Sequence, residues 1–507
     1  MPSLSQFIVA GLVIALLYRI WRTFYCICLS PLRSYPGPKL WACSRFPLQS
    51  ALIGGRGHLR MLELHKQYGP VVRIAPDTLA FFTGQSFLDI YQRTGSRAFK
   101  KNRIHYTPPP NGVDNLVTAL DDQNHARQRK LWAPGFTGEA LKMQEPLVMH
   151  YVDALMQRLD TLSSSGPVSI NDWFNSTIFD IAGALIFGED FACLSEGRLH
   201  PWIGLLFISI KTLVYTFAVK SYPELEWLLM KMVPRSLLRK QMHHFNLTAA
   251  KVDRRIAMGA EKPDLMSGVL KNGFSEKHGQ KRPQKEDVLS RDELHANAYI
   301  VLIAGAETTA TALCGIVFFL CNSPIAMQTL VSEVHSAFAS EGDITFQSTS
   351  KLSYLNAVIE EGLRLYPPVA SGLSRLPPPG GAYVDGHFVP EGTNVYTHHY
   401  ATYRSPSNFT LPDDFIPERW LGTDKRFAND KLDAVHAFSL GPRGCIGKNL
   451  AYAEMRLVLA KLFFLFTIQL TPGFDNWIDQ NVYFFWEKRN LPVNLRQRVL
   501  DIPSSQN

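Results

Sequence analysis

One stretch, residues 290–322, leaves this chain few ways to fold. Ser290-Arg291-Asp292-Glu293 is a capping-box signature that opens a helix, and Pro324 ends one. About 32 residues of helix make a rod roughly 48 Å long. Between 298 and 320 the rod is apolar on nearly all sides, so it belongs inside a core and not on a surface. At its middle stands Ala304-Gly305-Ala306-Glu307-Thr308-Thr309. An acid and hydroxyls there are costly without partners, and keeping them suggests use. The alternative is a second membrane-spanning helix, against which Glu307 at mid-span argues.

Composition permits a large core. Hydrophobic residues make up 46% of 507 and charged residues 19%, values of a globular chain. No linker, repeat or low-complexity block divides the body. The net charge is +8, without a basic arm, zinc-finger spacing or aromatic RNA-binding motif, so the reading is no nucleic acid. A basic docking face or anionic lipid suits the charge better. The seven cysteines are odd in number and contain no C-x-x-C, which disfavours a disulfide framework or a closed zinc site.

Residues 7–18 are an uninterrupted apolar run that continues, past Arg19 and Arg22, to about residue 29. Long arginines can snorkel, so the span is adequate. No Lys or Arg precedes the run, whereas Arg19, Arg22, Arg33 and Lys39 lie at or after its end. The positive-inside rule then puts the body on the cytosolic side of a single-pass anchor. A cleaved signal is the alternative, but a basic n-region and a small-residue cleavage site are missing. The boundaries expected are an anchor at 1–29, a Pro-rich hinge at 30–45 and a catalytic body at 46–507. Asn175, Asn246 and Asn408 head glycosylation-type triplets, which on a cytosolic body are chance matches.

Residues 71–74 and 79–82 read as a hairpin around Pro76-Asp77. From 139 to 330 the periodicity is mainly helical, 384–400 suggests strands, and 449–466 is helical. The fold class expected is mainly α with a small β-rich region.

The decisive loop is Phe438-Ser-Leu-Gly441-Pro-Arg443-Gly444-Cys445-Ile-Gly447. A lone Cys is usually an inert small hydrophobe. Here three glycines let backbone approach a flat ligand. A helix begins within about three residues, and its dipole is expected to lower the thiol pKa. The loop resembles the cytochrome P450 family, whose F-x-x-G-x-R-x-C-x-G is matched at every fixed position. That resemblance implies a haem b whose iron takes Cys445 as axial thiolate. It implies Phe438 near the sulfur and Arg443 on a propionate. Ala304 to Thr308 resembles the family's oxygen-activation motif. The implication is a dioxygen groove at Gly305, with Thr308 and Glu307 serving proton delivery.

Other segments extend the likeness over the body. Glu361 and Arg364 share a helix face, though Glu360 with Arg364 is also possible by spacing. The resemblance selects Glu361-x-x-Arg364, completed by Arg419 of Pro417-Glu418-Arg419-Trp420, as structural support for the cysteine loop. His125 and Arg129 match a propionate-binding W/H-x-x-x-R pattern, and Arg375 resembles a further propionate contact. Substrate regions map to 106–120, 298–305, 369–373 and 482–485, mostly apolar, implying a mainly hydrophobic small molecule. Residues 202–219 read either as a membrane-touching stretch or as a buried helix. Segments 108–136 and 427–457 resemble fungal secondary-metabolism members, nearest the isotrichodermin hydroxylase-like branch.

The resemblance implies a monooxygenase at the endoplasmic reticulum membrane, using O2 and electrons from NADPH through NADPH-cytochrome P450 reductase. The reductase is expected to dock near Arg127, Lys130 and Lys448. A same-fold peroxide isomerase or dehydratase, or a haem sensor, are the rivals. The intact Glu307-Thr308 pair disfavours both.

Overall fold

The computed structural model describes residues 3–498 apart from 199, 260–261 and 275–287. Residues 275–287 of the helical reading and 499–507 of the expected body therefore lie outside the described residues. The architecture is mainly helical with small sheets. At its centre runs the central helix, Arg291–Cys321, opened by the Ser290/Glu293 capping box read from the sequence. It packs on Ile170–Phe187, on Ser353–Leu365 and on Lys448–Leu465, which surround it with apolar side chains. It is thus a core helix and not a membrane span. Two glycines permit the close approach of Ser353–Leu365: a side chain at Gly362 would collide with Ile316, and one at Gly315 with Tyr366.

The β-structure is assembled from distant segments. β1 (Val71–Ala75) and β2 (Thr78–Phe81) form the expected antiparallel hairpin. β6 (Asn394–Thr397) joins β2 in parallel. β3 (Val168–Ser169), β8 (Pro492–Gln497) and β7 (Phe466–Leu470) make a second sheet, and β4 (Ala382–Val384) pairs with β5 (His387–Val389). The strand reading of 384–400 ends early, because His399–Tyr403 turns into a short helix.

The N-terminal helix Leu4–Phe24 continues as Tyr25–Leu29, and most of its described apolar side chains are exposed, Cys26 being buried. Only a non-aqueous surrounding makes that favourable. The Pro-rich stretch after it packs on β1: Arg73 donates from its backbone to Pro36 O (2.7 Å) and from its guanidinium to Cys26 O (2.8 Å). Trp41 and Ala42 are buried there. Asn175 and Asn408 are buried, and Asn408 spends its amide on Phe82 O and Thr402 O, so neither triplet is open to modification in the folded body. All seven cysteines are free.

Candidate active site

The cysteine loop is held from behind before it presents its sulfur. Gly441 has a positive φ of 66° and lies so close to Tyr91 O that any side chain would collide. The Cys445 N–H donates to Phe438 O (2.9 Å), closing the loop. Phe438 packs on Tyr452, ring centroids 5.1 Å apart. Cys445 is exposed towards a cavity of about 540 Å³. Its sulfur accepts from the Gly447 N–H at the start of Lys448–Leu465.

The thiol expectation needs correcting. Burial pushes the Cys445 pKa up, and the Gly447 N–H, Arg129 and Lys448 offset this only in part. Desolvation of a thiolate outweighs one N–H and two cations at a distance. A cation bound at the sulfur would favour the thiolate. Among the described residues no group of three His, Cys, Asp or Glu side chains could hold a metal ion, so an ion at Cys445 must bring its other ligands.

Cations collect on the same cavity. Arg129, Arg375, Arg443 and His125 all line it, joined by Lys101, which sequence reading missed. Arg129 donates to Gly444 O (2.7 Å), and Arg443 to Ala119 O (2.7 Å) and Asp122 (2.8 Å). Arg375 is bonded to the Tyr106 hydroxyl. Lys101 donates to Val117 O (2.6 Å). Burial drives the Lys101 pKa well down, helped by Arg375 and Arg443. Burial likewise drives His125 down to about 3, helped by Arg443, Lys101 and Arg129. His125 is thus neutral at ordinary pH and offers an N–H rather than a charge, which suits the place a Trp takes in the family pattern. So many cations in one buried place lack enough anions, and Asp122 answers only part of them. Two carboxylates on a flat, otherwise apolar ligand fit that imbalance, which is the chemistry of a haem with its propionates.

The central helix forms the opposite wall. Gly305 and Thr308 face the cavity, and nothing lies within 4 Å of where a Gly305 side chain would begin. Thr308 Oγ1 bonds to Ala304 O at 2.6 Å. The structure does not bring Glu307 into the cavity with Thr308. Glu307 is buried on another face, paired with Lys488 and accepting from Thr311 (3.0 Å). Lys488 was not legible in the sequence, since its partner lies 181 residues away. Thr309 donates to Glu454, a second buried acid lining the cavity. Burial raises Glu454 to about 8.

All four expected substrate regions line the cavity, including Pro108 and Val117, Val301 and Ala304, Val369 and Leu373, and Val482 to Phe485. Residues 202–219 form the roof helix, Pro201–Lys220, whose Ile210, Leu213, Val214 and Phe217 complete the apolar lining. Behind the cysteine loop, Glu361 meets Arg364 (2.8 Å), Arg419 (3.0 Å) and Trp420 (2.9 Å). Glu360 turns elsewhere, to the Tyr452 hydroxyl (2.6 Å), so the alternative pair with Arg364 does not form. The expected docking face loses one member: Arg127 is half-buried and bonded to Glu293 and Val288 O. Lys130 and Lys448 remain exposed.

The sequence model of the family described as "Cytochrome P450" matches residues 36–487. The chain is 42% identical to trichothecene C-15 hydroxylase of Fusarium sporotrichioides, covering 95% of this chain and 96% of the relative. It is 40% identical to cytochrome P450 monooxygenase atr2 of Stereocaulon alpinum, covering 96% and 95%. It is 39% identical to averantin hydroxylase of Dothistroma septosporum, covering 97% and 92%.

Proposed function

The chain belongs to the cytochrome P450 family and is a monooxygenase; from that premise we propose that it inserts one atom of O2 into a mainly hydrophobic intermediate of fungal secondary metabolism. The observation that carries this reading is one cavity with Cys445 on one wall, Thr308 on the other and an apolar substrate lining between them. When bound, the haem supplies the activation of dioxygen and its transfer to a C–H bond. Cys445 would hold the iron as thiolate. Arg129, Arg375, Arg443 and Lys101 would neutralise the propionates, with a neutral N–H from His125. Gly305 leaves open space on the cavity wall; the Thr308 hydroxyl would hold a proton at Oγ1 facing that space, and Glu307 would be the acid that resupplies it. Phe438, backed by Tyr452, would lie near the sulfur.

The test of function is purified protein with a reductase, NADPH and isotopically labelled O2, screened by mass spectrometry against extracts of a deletion strain. One labelled oxygen in the product is expected; unlabelled product would overturn the monooxygenase reading. Thr308→Ala should keep haem bound but send electrons to peroxide or water, cutting product per NADPH by about 10²-fold. Unchanged product yield would remove Thr308 from the mechanism.

Electrons arrive from NADPH through a membrane-bound flavoprotein reductase, and the exposed Lys130 and Lys448 are the docking charges. Rim charges act through solvent, so raising salt from 0.01 to about 0.15 M should slow electron transfer. A rate indifferent to salt would sink this docking face. Residues 1–29 are the anchor, 30–45 the linker and 46–507 the catalytic body. The anchor sits in the endoplasmic reticulum membrane, with the positive flank and the body on the cytosolic side.

A further inference from the structure

The segment 481–488 touches two elements that the reaction needs, and it does so through adjacent residues. Glu487 pairs with Lys211 of the roof helix. Lys211 also lies over the Tyr483 ring, 4.7 Å from its centroid. The next residue, Lys488, reaches the other way and pairs with Glu307 of the central helix, with both side chains almost fully buried. Lys488 also donates to Thr311 (2.8 Å), which itself donates to Glu307 (3.0 Å), so the three groups close a triangle. Between these contacts, Val482 to Phe485 line the substrate cavity. Phe484 there holds a φ of 101°, a strained conformation for a residue that bears a side chain. The segment is pinned at its ends, by Val482 N–H to Gly55 O (2.8 Å) and Trp486 Nε1 to Pro367 O (2.8 Å).

A buried carboxylate stays ionised only if a charge and donors compensate it. Desolvation raises Glu307, and Lys488 and Thr311 offset that rise only in part, so without them the carboxyl would move further towards its protonated form. The same bonds hold the carboxylate off the cavity, one residue from Thr308. We propose that Lys488 is a positioning residue. It holds Glu307 as a carboxylate away from the cavity, and segment 481–488 makes that hold depend on how the roof helix sits over the substrate. A substrate that presses on Phe484 or shifts the roof helix pulls on Glu487 and Lys488 together, and so loosens Glu307 for proton delivery. This rests on the proton role assigned to Glu307 above.

The test uses the haem-loaded full chain and three measurements. Infrared spectra at neutral pH report whether a buried carboxyl is protonated. Lys488→Met should add a protonated-acid carbonyl band that is missing in Lys488→Met/Glu307→Gln, and Lys488→Arg should not. With reductase and NADPH, Lys488→Met should raise peroxide formed per NADPH several-fold, whereas Lys488→Arg restores the wild-type ratio. Oxidation of a dye driven by cumene hydroperoxide needs neither reductase nor proton delivery. It should be kept in Lys488→Met, which separates a proton defect from a folding defect. Lys488→Gln, which retains a donor, is read in the same way if the Met variant does not hold haem. Lys211→Met should also raise the peroxide ratio, but add nothing in the Lys488→Met background, since coupled groups are non-additive. Additive effects would overturn the link to the roof helix. An unchanged infrared spectrum and peroxide ratio in Lys488→Met would overturn the positioning role. A Glu307→Gln enzyme as well coupled as wild type would instead remove the proton role of Glu307 itself.

Discussion

Cys445→Ala will give a protein without the thiolate-type absorbance of the reduced carbon monoxide complex, and its product formation will fall to background. The effect is that large because Cys445 is the one cysteine among the described residues that line the cavity, so its loss removes the only thiolate available there. Glu454 is a buried acid held by Thr309, and His125 is spent among cations. The body should still fold, since Cys445 opens onto the cavity and packs little. Circular dichroism of the variant should match wild type. A variant that keeps the thiolate spectrum would show that another group binds the iron, and the proposed site would fall with it. The raised Cys445 pKa adds a second expectation. In haem-depleted protein the sulfur is a thiol at neutral pH, so its alkylation, read as the difference between wild type and Cys445→Ala, should be slow and should speed up as pH rises.

Breaking the Glu361 network will cost far more stability than removing the neighbouring acid Glu360. Glu361 accepts from Arg364 Nε (2.8 Å) and Nη2 (2.8 Å), from Arg419 Nε (3.0 Å), from Trp420 Nε1 (2.9 Å) and from the Ile416 N–H (2.9 Å). Arg419 is tied further to Asp430. Glu361, Arg364 and Arg419 are fully buried, so Glu361→Ala leaves Arg364 without a carboxylate away from water and Arg419 with Asp430 alone. The expected loss is about 3–5 kcal/mol in the midpoint-derived unfolding free energy, with haem released on dilution. Glu360→Ala, which frees only a tyrosine hydroxyl, should cost about 1 kcal/mol. Equal losses for the two would refute the ranking. Burial pushes the Glu361 carboxyl up, but Arg364, Arg419 and the other donors hold it below the usual 4.5. Its contribution is therefore complete above that value, and it is lost only as pH falls through the lower folded-state value.

What could be read in advance was whatever depends on neighbours in the chain. The capping box of Ser290 and Glu293, the extent of the central helix and the β1–β2 hairpin all follow from residues a few places apart. The loop from Phe438 to Gly447 carried its glycines, its arginine and its cysteine in a spacing that one segment can display. Glu361 and Arg364 were legible for the same reason. Even so, Arg364 had two acids within reach by spacing, and only the packing of Tyr452 against Glu360 chose between them.

The tertiary structure decided everything that rests on partners far along the chain and on water being excluded. Arg127 looks like a docking charge until Glu293, 166 residues away, claims it. Lys101 and Lys488 carry no local sign of their roles, because the groups that give them meaning arrive from other elements. The local dipole at Cys445 pointed to a lowered pKa, yet burial reversed the sign, and burial belongs to the whole fold. Hydrogen-bonded turns and helix periodicity are short-range and so are written in order along the chain. Desolvation and ion pairing are set by what surrounds a group in space, which no segment contains.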